Sequence, residues 1–144
     1  MTATKKRYLS LFLAIVFVIS LTATLSITAS AATSVTKTIT SNKSVYVTGT
    51  TQTNWWWFVK PTTTYTFKNT GGNGTVVEVY SYTKTGSGSW IGPIDQGNIA
   101  NNQSKTISIK GNGIQVKFEL KVWGNYVNGC GGKVTVNASG GSIS

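Results

Sequence analysis

The stretch Ile114-Gln115-Val116-Lys117-Phe118-Glu119-Leu120-Lys121-Val122-Trp123 decides how the rest of the chain is read. Side chains alternate between faces along a β-strand. One face here carries Ile114, Val116, Phe118, Leu120 and Val122, and the other carries Gln115, Lys117, Glu119, Lys121 and Trp123. The apolar row needs a core to enter and the polar row needs solvent, so the segment reads as a strand covered on one side. Glu119 and Glu78, each alternating with apolar neighbours, read as solvated groups paired with Lys. Just upstream, Thr106–Lys110 alternates too, and Asn112-Gly113 lies between the runs. That pair predicts a tight turn with positive φ at both central residues.

The pattern continues outward. Tyr65 and Phe67 oppose Thr64, Thr66 and Lys68 in Thr63–Lys68. Gly71-Gly72-Asn73-Gly74 follows, then Thr75–Thr83 with Val77 and Val79 against Glu78 and Tyr80, which predicts a hairpin with a long loop. Val76, Tyr80 and Tyr82 are apolar on the alternate positions, consistent with a strand that carries aromatic groups outward. Val35–Thr40 and Ser44–Thr48 predict two short strands rich in β-branched residues. Val134 and Val136 mark a last strand before a soft Gly/Ser tail at 139–144. Lys84–Asn102, punctuated by Gly86, Gly88, Gly92, Pro93 and Gly97, reads as an irregular connection, with Trp90 either its anchor or the cap of a binding groove.

Trp55-Trp56-Trp57-Phe58 is the most unusual segment. Read as a strand over Asn54–Lys60 and ended by Pro61, it places Trp55, Trp57 and Val59 inward. Trp56 and Phe58 then point outward beside Asn54 and Lys60, as an exposed contact surface. No long 3.6-residue periodicity appears after the first thirty-one residues. With about seven or eight short strands, the fold expected is all-β: a single small antiparallel β-sandwich, with a small β-barrel as the alternative.

Residues 1–31 read as a cleaved signal peptide. Lys5-Lys6-Arg7 precede the apolar run Leu9–Leu21, and Ala29-Ser30-Ala31 supplies the small-residue cleavage pattern. The run is short for a membrane span of ~20 residues. The expected product is a secreted, extracellular domain over residues 32–144, large enough for one core. Its ten basic residues are all Lys, against Glu78, Asp95 and Glu119, a balance of +7. Diffuse attraction to anionic polymers or lipid headgroups follows. Nucleic acid is not the expected partner, since base reading leans on Arg. Cys130 is the only cysteine, so no disulfide forms within the chain.

The chain contains no His and only three carboxylates. This removes imidazole-based hydrolases and His metal ligands and leaves little for paired-carboxylate chemistry. No catalytic residue, metal site or cofactor is therefore expected. The candidate binding residues are Trp56, Phe58, Trp90, Trp123, Tyr80, Tyr82 and Tyr126, with Lys60, Lys117 and Lys121 as adjacent charges and Asn54, Gln115 and Asn125 as hydrogen-bonding groups. Three functions fit this inventory. The first is a non-catalytic domain binding a polysaccharide or anionic cell-wall polymer. The second is a membrane-active protein, such as a small toxin or antimicrobial, engaging lipid through interfacial Trp and Tyr. The third is a matrix or surface-coat protein that forms homo-oligomers.

Overall fold

Nine strands and no helix make up the described residues of the computed structural model, which are 33–40, 43–72, 74–123 and 132–144. The strands are β1 (Thr33–Ile39), β2 (Ser44–Thr50), β3 (Thr62–Asn69), β4 (Val76–Lys84), β5 (Ile91–Ala100), β6 (Ser104–Lys110), β7 (Gln115–Trp123), β8 (Gly132–Ser139) and β9 (Ser142–Ile143). They form two antiparallel sheets, a four-stranded one in the order β1-β8-β3-β6 and a five-stranded one in the order β5-β4-β7-β2-β9. The inner faces pack on each other, as in a β-sandwich. The segment 1–31, Ala32, Tyr126 and Cys130 lie outside the described residues, as does the side chain of Trp123 at the end of β7.

The expected alternation holds where it was clearest. Val116, Phe118, Leu120 and Val122 of β7 are buried. They meet Tyr65 and Phe67 of β3 and Val134, Val136 and Ala138 of β8 from the other sheet. The Phe118 ring lies 4.9 Å from both the Tyr65 and Phe67 rings, an aromatic knot at the centre of the core. In β4 the ambiguity resolves with Val77 and Val79 buried and Tyr80 and Tyr82 on the outer face.

The connections differ from the expectation. Only β4 and β5 are both consecutive in sequence and paired; every other connection steps from one sheet to the other. The segment around Gly71–Gly74 is therefore a crossing, not a hairpin. Its organiser is the buried Asn69, whose amide donates to the carbonyls of Thr75 and Ile99 and whose oxygen accepts from Gly71 N–H. Asn112-Gly113 is likewise a crossing, from β6 to β7. Gly113 has positive φ (64°) but Asn112 does not, because the two strands it joins are not paired with each other.

Three more expectations are corrected. Lys84–Asn102 contains the ten-residue strand β5, whose ladder with β4 tolerates its glycines through two register shifts. The Gly/Ser tail carries β9, with Ile143 buried against the core. A Cβ on Gly49 would collide with the Ser142 carbonyl, and one on Gly141 with that of Thr50, so glycine is what allows this close pairing. Finally, Trp55–Phe58 is not a strand but part of the loop from β2 to β3. A strand there would have no ladder, because the chain is passing between sheets stacked roughly 10 Å apart.

Candidate functional site

The loop between β2 and β3 has a fixed stem and an open tip. Asn112 grips the stem from the β6–β7 crossing: its oxygen accepts from Asn54 N–H at 2.6 Å, and its amide donates to the Asn54 carbonyl at 3.1 Å. Backbone bonds from Thr51 N–H to Ile114 O, Gly113 N–H to Gln52 O and Gly111 N–H to Pro61 O complete the clamp. Beyond it the Asn54 side chain accepts from Trp56 N–H, and Val59 N–H bonds Trp56 O, which folds the tip into a tight turn.

That turn displays every aromatic it contains. Trp55 is 91% exposed, Trp56 58%, Trp57 82% and Phe58 61%. The inward placement of Trp55 and Trp57 expected from alternation is overturned, since period 2 does not apply to a turn. The rings do not form a flat platform. Phe58 lies 5.6 Å from Trp56 with planes 51° apart, and 5.8 Å from Trp57 with planes 85° apart. Lys60 is exposed in the same loop. The strand registers place Lys110 and Lys84 at this end of the two sheets, level with Thr62 and Gln115.

The outer face of the five-stranded sheet gathers most of the other candidates. Across β2, β7 and β4, Thr48, Lys117 and Tyr82 form one row, Tyr46, Glu119 and Tyr80 the next, and Ser44, Lys121 and Glu78 a third. The Lys117 ammonium lies 4.4 Å from the Tyr82 ring centroid, 4.9 Å from Trp90 and 5.6 Å from Tyr46. Lys121 lies 5.0 Å from Tyr80. These are cation–π distances.

Glu119 is not the solvated group expected from its alternation, although its pairing with Lys is found. It is 7% exposed, accepting from Ser44 Oγ and Tyr82 OH, each at 2.7 Å, with Lys121 Nζ at 3.2 Å. Burial pulls its pKa up, but these hydrogen bonds and the Lys121 charge outweigh burial and leave the carboxyl below its ordinary value. In return, the bond to Glu119, helped by burial, pushes the Tyr82 hydroxyl up to about 12.

Trp90 ends the β4–β5 turn and is exposed. It walls a groove of ≈ 340 Å³ whose other lining residues include Thr48, Thr50, Gln115, Ser142 and Ser144. The outer face of the opposite sheet carries no such aromatic cluster but Thr, Ser and Lys, as in the pairs Thr36–Thr135 and Thr66–Thr106 and in Lys68 and Lys133.

The predicted site residues thus divide. Trp56, Phe58 and Lys60 occupy the tip, while Tyr80, Tyr82, Trp90, Lys117 and Lys121 occupy the adjoining face. Asn125, Tyr126 and the side chain of Trp123 lie outside the described residues. Tyr46, Trp55 and Trp57 were missed as binding candidates. The outward position of Tyr46 was visible in its alternation with Val45 and Val47. The protein-family models and the curated proteins contain no match to this chain.

Proposed function

We propose that this protein is a secreted, non-catalytic membrane-surface binder that inserts the Trp55–Phe58 tip into the interface of an anionic bilayer. The observation that supports this reading is the exposure of four consecutive large aromatics on a clamped stem. Apolar groups displayed together in this way mark a contact surface, and Trp is favoured at the headgroup level of membranes. A polysaccharide surface would call for rings sharing a plane, whereas these planes diverge. Lys60 in the loop, and Lys84 and Lys110 at the same end of the sheets, supply the charge that anionic headgroups attract, about 1 kcal/mol each near such a surface.

Co-sedimentation with lipid vesicles tests the proposal. The wild type is expected to pellet with phosphatidylglycerol-containing vesicles and much less with purely zwitterionic ones, with salt weakening the difference. Trp55→Ser/Trp57→Ser is expected to lose binding while keeping its denaturant midpoint, since exposed substitutions cost within about 0.5 kcal/mol. Undiminished vesicle binding by a folded double variant would refute the assignment.

A further inference from the structure

The groove beside Trp90 has chemistry different from that of the Trp55–Phe58 tip. We propose that the groove between Trp90 and the β2–β9 edge binds a pyranose ring bearing an anionic substituent. This does not rest on the membrane reading. The groove's volume, ≈ 340 Å³, falls within the ~300–1,000 Å³ typical of small-ligand sites. Its wall is an indole, which offers an apolar face to the C–H side of a sugar ring and an N–H at its edge. Its other side presents hydroxyls and an amide.

Those hydroxyls are held in pairs across the β2–β9 edge. Thr50 Oγ1 lies 2.7 Å from Ser142 Oγ, and Thr48 Oγ1 lies 3.0 Å from Ser144 Oγ. A hydroxyl has one donor and two acceptor positions, so each pair retains spare acceptors for sugar hydroxyls. Exposed Gln115, directly opposite Thr50 in the ladder, adds an amide that both donates and accepts.

The requirement for a negative charge comes from Lys117. Its ammonium is held among the Tyr46, Tyr82 and Trp90 rings, on the indole that walls the groove, with the Lys84 ammonium farther out at 5.9 Å from the same ring. Among the described residues Lys121 pairs with Glu119, while no carboxylate pairs with Lys117. Rings attract the cation but leave N–H bonds to spend, and a carboxylate on a sugar seated against Trp90 would take them.

NMR titration of the labelled protein with methyl β-D-glucuronide, and with the neutral methyl β-D-glucoside, tests this. Saturable shifts are expected at the Trp90 indole N–H and the Gln115 amide, with the glucuronide bound more tightly. Trp90→Ala is expected to weaken binding on the order of tenfold. Lys117→Met should cut most of the preference for the glucuronide, and Lys84→Met/Lys117→Met should bring it down to the affinity of the glucoside. Gln115→Ala, an exposed change that keeps the fold, should weaken both sugars. The Trp55→Ser/Trp57→Ser variant should bind glucuronide like the wild type. Absence of saturable shifts with the glucuronide overturns the proposal. So does equal binding by folded Trp90→Ala and Gln115→Ala, or loss of binding in the tip variant, which would put the sugar on the loop.

Discussion

Glu119 carries more of the charged face than its place in an alternating strand suggests. Its carboxylate accepts from Ser44 on β2 and Tyr82 on β4 and pairs with Lys121 on its own strand, joining three neighbouring strands on the outer side of the sheet. A carboxyl whose folded pKa lies below its unfolded one adds stability above the ordinary carboxylate range and loses it as pH falls through the lowered value. Glu119→Gln is therefore expected to be less stable than the wild type near neutral pH. The gap should close as the solution is acidified through that range, as read by denaturant unfolding at each pH. The burial of this group was not legible in the sequence. Its alternation marked it as outward, correctly, but Ser44 and Tyr82 shield it from 75 and 37 residues away. A local pattern reports which side a residue faces, not what arrives to cover it.

Among the elements, β7 is where pattern and packing agree most closely. It lies in the middle of the five-stranded sheet, between β4 and β2, and sends four side chains into the core. Leu120 is fully buried there, so Leu120→Ala is expected to cost about 2–5 kcal/mol in a denaturant or thermal melt. An unchanged midpoint would mean that the site collapses around the truncation without loss. Strand positions and inward faces were legible wherever β-branched and aromatic residues alternated with Thr or Lys, as in β3, β7 and β8. β5 and β9 were hidden because their glycines read as breakers. In β9 the glycines nearby are what allow the edge to close, and in β5 the register shifts absorb them. The Trp55–Phe58 turn was misread for the opposite reason. Bulky aromatics favour strands, but that preference needs a neighbouring ladder, and between the sheets none is offered.

At the scale of the whole molecule, pairing could not be read because Gly- and Asn-rich turns look alike whether they join paired strands or cross between sheets. The tip, the β4–β5 turn and the β6–β7 crossing lie at the same end of the sheets, the end that also carries Trp90 and Gln115. That shared end belongs to topology, so the sequence showed its residues only as scattered ones. The same topology sets an order in time. In the four-stranded sheet β8 lies between β1 and β3, yet it is made after both. Until residues 132–139 are available, β1 has no partner to zip against, and the core lacks Val134, Val136 and Ala138. A chain ending at residue 131 is expected to show no cooperative unfolding transition and no dispersed NMR spectrum. A native-like melt from that truncated chain would contradict the expectation. With nearly every ladder closing a long loop, folding should be slow as well as late. A chain that cannot close its sandwich until residues 132–139 have been made stays threadable until then, which is what the secretion proposed above would require.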